Sequence, residues 1–310
     1  MYIGIDLGYG WTKVAYGMPD DTSNLLRASQ IKFPTAIAPI LDKCLHSSNM
    51  GTTDRVVTYQ NQAYQYGHNA LASPNCLHGA DLEWMLAFGP VLFAGAIDLV
   101  SPANPSGHNV AVGLPPADYT QYREQLVDAF SQFHANGREY HNNVEVYPQA
   151  VVALGEWRAR GNSTDDLLIV DIGYNTVDVV PVANGQVQGD AAGTIDRMGI
   201  GRVYQDARSA LRKTYGVVLN DAKVDRVFAT GKVVVNGAYH DASDIVRDTL
   251  HVYRTVLTNA LMSRWGQHIR STENMLYIGG GASFLVQFAG RELANWEIQT
   301  LPEPEFANAR

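Results

Sequence analysis

Two segments of the chain combine an aspartate with a glycine turn, and this combination suits phosphate chemistry. Residues 5–14 read IDLGYGWTKV, and residues 170–179 read VDIGYNTVDV. Glycine allows a backbone to curl so that several N–H groups point at one anion, and aspartate can hold Mg²⁺ through water. A hairpin that simply needs glycine would account for one segment. Two copies, with Asp6 and Asp171 lying 165 residues apart, favour a pair of loops that bind one polyphosphate from both sides.

The apolar residues around each aspartate indicate the elements that would position it. Each segment reads as an apolar strand, a tight turn and a second strand. The second strands would cover residues 11–16 and 176–182. The repeat therefore predicts two β-hairpins, each with its aspartate at the end of the first strand.

A third glycine cluster lies near the C-terminus. Gly279, Gly280 and Gly281 follow the apolar residues 275–278 and precede a predicted helix over 283–290. Three consecutive glycines would let a flat ligand approach the backbone closely. A bare glycine triplet is a weak signal, and its position after a strand in the second half of the chain strengthens it.

Between these motifs, strands alternate with helices. The predicted elements are a surface hairpin over 56–67, a strand over 109–115, a helix capped by Asp118 with Phe133 on its apolar face, a strand over 144–147, a helix through Trp157, and a long helix over 245–269. Residues 161–166 read as a hinge, and residues 301–310 read as a tail or an edge segment. This alternation predicts an α/β fold with two mixed sheets related by the repeat.

Composition narrows the class of protein. The chain has 310 residues, 46% of them hydrophobic and 17% charged, which excludes disorder as the main state. Its length suggests two domains, or one domain elaborated by insertions. With 23 basic and 31 acidic residues, the net charge is −8, and this charge argues against direct nucleic-acid binding.

Three further features concern the cellular setting. Cys44 and Cys76 fit neither a disulfide framework nor a zinc site. The start of the chain lacks the basic segment of a signal peptide. The apolar stretch over 84–97 is shorter than a membrane span and contains Gly89-Pro90, so it reads as a buried helix. The sequence therefore predicts a cytoplasmic protein with no membrane partner.

The motifs together resemble those of the actin-like ATPases, and within them the bacterial ParM (StbA-type) plasmid-segregation proteins. The resemblance rests on residues 6–10, 171–178 and 277–282, with 109–116 and 144–150 between them. It implies a duplicated, ribonuclease H-like α/β fold in which two related domains, each with a mixed sheet flanked by helices, enclose a nucleotide cleft. Domain I would cover 1–162 with a small insertion at about 33–70, and domain II would cover 163–310 with an insertion at about 190–270.

The resemblance also implies roles for individual residues. Asp6 and Asp171 would organise Mg²⁺ and its waters, Gln149 would orient the attacking water, and Lys13 would point towards the phosphates. Many ParM-like proteins have Glu at the position of Gln149, whereas actin has Gln. The nucleotide-binding residues implied in this way are Gly8, Tyr9, Gly10, Gly173, Tyr174, Asn175, Gly279, Gly280 and Gly281. Tyr9 and Tyr174 depart from the family pattern, since relatives often carry small or hydroxyl-bearing residues there.

The implied function is a filament-forming ATPase that binds ATP or GTP with Mg²⁺. It would segregate plasmid DNA through a DNA-binding adaptor of the ParR type, without touching nucleic acid itself. One alternative is a sugar-type kinase of the same superfold, since Asn220-Asp221-Ala222 imitates a kinase signature. In those kinases the signature precedes the second phosphate loop, and here it follows that loop. Another alternative is a nucleotide-binding filament or scaffold with a cargo other than a plasmid.

Overall fold

The computed structural model describes residues 1–18, 28–41, 55–79, 81–162, 166–289 and 298–310, without the side chains of 287–289. The chain forms two compact units. Unit 1 contains Met1–Asn162 together with Phe306–Arg310, and unit 2 contains Ser163–Glu305. Part of the predicted insertion (42–54), part of the predicted hinge (163–165) and Cys44 lie outside the described residues.

Unit 1 consists of two sheets with helices packed against them. In chain order its elements are β1 (Tyr2–Leu7), β2 (Trp11–Gly17), β3 (Ser29–Pro34), β4 (Ala36–Pro39), β5 (Val56–Tyr59), β6 (Gln62–Tyr66), α1 (His68–Leu71), β7 (Leu77–His78), α2 (Leu82–Val100), β8 (Asn109–Leu114), α3 (Pro116–Ser131), β9 (Gln132–Ala135), β10 (Arg138–His141), β11 (Asn143–Pro148) and α4 (Val151–Ala159). The first sheet has the order β11-β8-β1-β2-β3.

The first sheet places the predicted hairpin at its centre. Strands β1 and β2 are antiparallel, and β8 pairs in parallel with β1 on its other side. Alternate residues such as Ile3, Ile5, Val110 and Val112 are buried in the core of unit 1, as expected for a sheet with one face against a core. Asp6 therefore lies at the end of a central strand, as the sequence predicted.

The second sheet of unit 1 is larger than the small insertion predicted at 33–70. It has six strands in the order β10-β9-β5-β6-β4-β7. Strands β9 and β10 come from residues 132–141, and Tyr59 of β5 pairs with Ala135 of β9. The prediction that Phe133 continues a helix was wrong, because α3 ends at Ser131 and Phe133 stacks on Tyr140 within this sheet.

Helix α2 is the apolar segment that the sequence analysis interpreted as a buried helix. It is long and apolar enough to cross a membrane by length and composition alone, with 56% of its most apolar window buried inside the protein. Its N-terminus is capped by Asp81, whose side chain accepts a hydrogen bond from the Trp84 amide. Val91, Leu92 and Phe93 pack in the core of unit 1, so the helix covers the sheets of this unit.

Unit 2 has one main sheet, a small hairpin and four helices within its described residues. In chain order its elements are β12 (Asp166–Ile172), β13 (Val177–Ala183), β14 (Gln186–Val187), β15 (Gly193–Ile195), α5 (Gly201–Tyr215), α6 (Asp221–Thr230), β16 (Lys232–Val235), β17 (Ala238–Asp241), α7 (Ser243–Ser271), β18 (Asn274–Ile278), α8 (Gly280–Ala289) and β19 (Ile298–Thr300), with 3₁₀ turns at Gly189–Ala191 and Pro304–Phe306.

The sheet of unit 2 repeats the arrangement of the first sheet of unit 1. Strand β12 pairs antiparallel with β13 and parallel with β18, as β1 pairs with β2 and β8. A further parallel strand follows in each case, β19 in unit 2 and β11 in unit 1. This shared topology confirms the predicted duplication and the α/β fold with two mixed sheets.

Two other local predictions were wrong. Asp118 does not cap α3, whose N-terminus is set by Pro115 and Pro116 with Asp118 in the first turn. Of the two interpretations of residues 301–310, a tail or an edge segment, the tail was wrong, because Leu301, Phe306 and Ala309 are buried. Phe306–Arg310 belongs to unit 1 rather than to the second domain. Gly4 makes this packing possible, since a Cβ there would lie 1.8 Å from the Ala309 carbonyl oxygen.

Candidate functional site

In unit 1, the first aspartate is paired with the predicted lysine. Asp6 is the penultimate residue of β1 and lies directly opposite Lys13 of β2. The Lys13 Nζ lies 2.8 Å from Asp6 Oδ2, and the Asp6 side chain is only 2% exposed. A buried carboxylate is costly unless it is paired. Lys13 therefore allows an acidic group to be kept inside the protein beside the glycine turn.

Gln149 reaches the other oxygen of the same carboxylate. Its Nε2 donates to Asp6 Oδ1 at 3.0 Å, although 143 residues separate the two in the chain. The Gln149 amide N–H donates to the Leu114 carbonyl at 2.8 Å, which places Gln149 beside the end of β8. Gly113 makes room for it, since a Cβ there would lie 3.0 Å from Gln149 Cγ. Unit 1 thus brings Asp6, Lys13 and Gln149 together.

The residue after Gln149 adopts a backbone conformation that is unusual for a non-glycine residue. Ala150 has φ of 66°, in the left-handed region, at the start of α4. Such a conformation costs about 1–2 kcal/mol for a residue with a Cβ. The Ala150 amide donates to Asn308 Oδ1 at 2.9 Å. The C-terminal residues therefore help to hold the turn that carries Gln149, a role that the sequence analysis missed.

A threonine outside the motif fixes the backbone of the first glycine turn. The Thr35 hydroxyl donates to the Gly8 carbonyl, and the Thr35 amide donates to the Gly10 carbonyl at 3.0 Å. In a trans peptide, the N–H of the next residue points away from the C=O. The amides of Tyr9 and Trp11 therefore point away from Thr35. Amides oriented in this way can bind phosphate oxygens.

We expect Thr35→Val to weaken both folding and nucleotide binding. The change keeps the side-chain shape and leaves the Gly8 carbonyl without its donor, so the free energy of unfolding should fall by about 1–3 kcal/mol. Urea unfolding and titration with a fluorescent ATP analogue measure the two effects. Thr58→Val is the control, because Thr58 is an exposed threonine of β5. Equal behaviour of the two variants would remove the role of Thr35.

In unit 2, the glycine triplet packs against the strand that carries the second aspartate. Asp171 is 3% exposed. Gly279 has φ of +86°, and a Cβ there would lie 2.3 Å from Asp171 Oδ1. A Cβ at Gly281 would lie 2.2 Å from Ile172 Cγ2. Gly279 and Gly281 therefore allow the start of α8 to approach the end of β12. Of the triplet, Gly280 alone has no described heavy atom within 4 Å of a Cβ built on it.

The glycine loop of unit 2, residues 173–175, is anchored by its carbonyl groups. The carbonyls of residues 173–175 accept hydrogen bonds from the amides of residues 199–201, at 2.8–3.0 Å, just before and at the start of α5. Because N–H and C=O point in opposite directions across each trans peptide, the amides of residues 174–176 point away from α5. Three successive amides on one side of a loop form a concave anion-binding site. The binding of nucleotide by Gly173, Tyr174 and Asn175 stays a prediction.

A second buried carboxylate supports this loop. Asp178 of β13 is 1% exposed. It accepts hydrogen bonds from the hydroxyls of Thr176, at 3.2 Å, and Thr194. These bonds fix the strand that follows the loop. Asp178 lies in the repeated motif, and Thr194 could not be identified because it is far from the motif in the chain.

The acidic residues fit a hydrated Mg²⁺ better than an ion held by protein ligands alone. Among the described residues, no three His, Cys, Asp or Glu side chains lie close enough to hold a metal between them. Both oxygens of Asp6 already bind a cationic or amide donor. Mg²⁺ usually keeps several waters and takes one or two carboxylates with substrate phosphates. The bonds of Asp6 are compatible with a contact to such an ion through its waters.

Family models match both halves of the chain. The family model described as actin-like proteins N-terminal domain matches residues 4–151, and the model of the archaeal actin homologue MreB-like C-terminal domain matches residues 169–289. The two matches lie one after the other and together cover most of the chain. The chain belongs to the actin-like proteins. Comparison with curated protein sequences gives no significant match.

Several solved structures share the fold. A 15-stranded ParM filament from Clostridium botulinum superposes with a TM-score of 0.78 at 21% identity, over 99% of this chain and 96% of that one. An archaeal actin homologue in complex with ADP gives 0.76 at 16% identity, with the same coverage. Bacillus thuringiensis ParM with ATP gives 0.64 at 13% identity, over 99% and 95%. The fold is therefore that of ParM and of archaeal actin homologues.

Proposed function

We propose that this protein is a nucleotide-driven, filament-forming actin-like ATPase. It binds ATP, or GTP, with Mg²⁺ and hydrolyses it in the cytoplasm. The observation that carries the proposal is the contact of Gln149 with Asp6, beside a glycine turn whose amides are oriented for phosphate. Solved structures of similar fold that contain ADP or ATP support nucleotide as the ligand.

The side chains of unit 1 suit the positioning of water. The Gln149 Nε2 donates to Asp6, and this bond fixes the plane of the amide so that Oε1 can accept a hydrogen bond from water. Glutamine is not a base at neutral pH, so its role is to orient the attacking water, as in small GTPases. Lys13 neutralises the charge of Asp6, which would otherwise repel the phosphates near the first loop.

The backbone loops supply binding rather than proton transfer. The amides of Tyr9 and of residues 174–176 would hold phosphate oxygens without moving during the reaction, and such preorganised donors stabilise developing negative charge. Asp6 and Asp171 would orient the waters around the nucleotide. Bound Mg²⁺ would supply charge neutralisation on the phosphates.

The biological task that we propose is plasmid segregation through an adaptor. The solved C. botulinum ParM is a filament, which supports self-association as the mode of action. The net charge of −8 disfavours direct contact with DNA. A DNA-binding adaptor of the ParR type would then connect the filament to its cargo. A filament with a different cargo is the second candidate, and the same site would serve it.

The kinase alternative loses support from the structure. Asn220 of the kinase-like signature caps α6, where its side chain accepts from the Lys223 amide at 3.1 Å. The Asp221 carboxylate is bound by Tyr174 and Arg208, each at 2.6 Å. A general base must be within reach of the hydroxyl that it deprotonates. The Asp221 carboxylate instead accepts hydrogen bonds from two protein donors.

Sedimentation with nucleotide tests the proposal. With ATP and Mg²⁺, we expect the protein to pellet and to scatter light above a critical concentration. With ADP, or with EDTA present, the pellet should shrink. Phosphate release should follow assembly. Protein that stays monomeric with ATP or GTP across varied salt and crowding would contradict the proposal.

A further inference from the structure

Tyr174, in the second phosphate loop, has a large side chain that extends out of the loop to a neighbouring helix. The Tyr174 hydroxyl donates to Asp221 Oδ2 at 2.6 Å, on helix α6. Arg208 of helix α5 donates to the other oxygen of the same carboxylate, also at 2.6 Å. Tyr174 therefore connects the loop to two helices through one shared acidic group.

The backbone of the same residue is tied to α5 at very short range. The Tyr174 carbonyl accepts from the Gly201 amide at 2.8 Å. A Cβ at Gly199 would lie 2.3 Å from the Tyr174 carbonyl oxygen, and a Cβ at Gly201 would lie 2.9 Å from it. Glycine at 199 and 201 is thus required by the closeness of this loop. The loop is held at α5 by its main chain and at α6 by its side chain.

Burial and the hydrogen bond to Asp221 both raise the pKa of Tyr174. The hydroxyl therefore stays protonated at neutral pH and remains a donor. Its ring also stacks on that of Tyr204, with centroids 6.2 Å apart and an angle of 23° between the planes. A small residue at position 174 could form neither contact. The direction of the side chain is therefore defined at both its ring and its hydroxyl.

We propose that Tyr174 is a positioning residue, whose bond to Asp221 holds the loop in the conformation that presents the amides of residues 174–176 to nucleotide phosphates. The inference rests on the proposed function, since it names the residue that shapes one half of the nucleotide site. Through Arg208 and Asp221, the same bond links the loop to α5 and α6. Loss of the Tyr174 hydroxyl should loosen the loop without removing any group that touches nucleotide.

Tyr204 provides a matched control. Its hydroxyl donates to Asp225, also on α6, and it packs against the rings of Tyr174 and Phe284. It lies in α5 and not in the loop. Tyr204→Phe therefore removes the same kind of bond to the same helix while leaving the loop unchanged. A purely structural effect should be equal in the two variants.

Nucleotide affinity is the first measurement. For Tyr174→Phe, we expect the Kd for a fluorescent ATP analogue to rise about 10-fold, the factor that corresponds to one hydrogen bond. For Tyr204→Phe, the Kd should stay within twofold of that of the original protein. The change in Tm should be similar in the two variants. An unchanged Kd in Tyr174→Phe, or equal increases in both variants, would overturn the inference.

A double-mutant cycle with Asp221 identifies the bond itself. Asp221→Ala should raise the Kd like Tyr174→Phe, and the double variant should be no weaker than either single one. Asp221→Asn should restore much of the affinity, because its amide oxygen still accepts from Tyr174. Additive losses would show that the two residues act separately, which contradicts the proposal.

Hydrogen exchange of the nucleotide-free protein separates this inference from the proposed function. The amides of Gly199 and Gly201 donate to the loop carbonyls. They should exchange about 10-fold faster in Tyr174→Phe and at the original rate in Tyr204→Phe, because exchange reports local opening. If the original protein binds no nucleotide, the proposed function fails. Unchanged exchange would overturn the positioning role independently of nucleotide.

Discussion

Replacing Asp171 by alanine should lower the rate of Mg²⁺-dependent ATP hydrolysis by at least about 100-fold, the scale seen when one preorganised transition-state contact is removed. The carboxylate is buried at the end of the central strand of unit 2, beside Gly279. Its loss would remove the acidic group that, in our proposal, orients the waters near the second glycine loop. Phosphate release at saturating ATP measures the effect.

Asp166→Ala is the matched control for this prediction. Asp166 begins the same strand that Asp171 nearly ends. Its carbonyl accepts from Glu273 and Thr272, and these main-chain bonds survive the substitution. The control should hydrolyse ATP at close to the original rate. Unchanged turnover in Asp171→Ala, with the fold verified by circular dichroism, would remove Asp171 from the site.

Replacing Gln149 by alanine should separate hydrolysis from binding. The rate should fall about 10- to 100-fold, because a water-orienting amide contributes to the chemical step. The Kd for ATP should stay within about threefold, because no phosphate contact is removed and Asp6 keeps its bond to Lys13. Slower hydrolysis should also lengthen filament lifetime. Single-turnover kinetics and light-scattering decay measure the two effects.

The control for Gln149 is a glutamine with no proposed role in nucleotide binding or hydrolysis. Gln132 of β9 is exposed and bonds to Glu139 on the neighbouring strand. Gln132→Ala should leave both the rate and the Kd unchanged. A Gln149→Ala protein that hydrolyses ATP normally, or that loses nucleotide binding altogether, would contradict the proposed role.

Local patterns were sufficient to predict the two hairpins. Each hairpin lies within a short stretch of chain, so its glycine turn, apolar alternation and aspartate can be identified directly. The repeat then predicted the duplicated topology. The role of Gln149 was implied by the resemblance to actin-like ATPases, through its position after a strand. Its contact with Asp6 required the folded sheet, in which β11 and β1 flank β8.

Features that depend on distant residues could not be predicted. Thr35 supports the first glycine turn across 27 residues, and its own neighbourhood in the sequence contains no sign of that task. Phe133 continued an apolar helical pattern, yet tertiary pairing of residues 132–135 with the second sheet placed it in a strand. Side-chain periodicity cannot distinguish these outcomes when the segment is short.

The glycine triplet illustrates a different limit. A sequence shows that something must approach Gly279–Gly281 closely, but it does not show what approaches. The structure shows that two of the three accommodate residues 171 and 172 of their own unit. The requirement for glycine was predicted correctly, whereas the cause at these two positions is packing. At Gly280, no described heavy atom lies within 4 Å of a Cβ built there, so packing among the described residues does not explain this glycine.

A single codon change could loosen either glycine loop. The first loop is held by the amide and the hydroxyl of Thr35. The second is held by the amides of residues 199–201 and, through the Tyr174 hydroxyl, by Asp221. In both loops the main-chain bonds survive replacement of the side chain that donates. Selection could therefore adjust either loop in small steps without dismantling it.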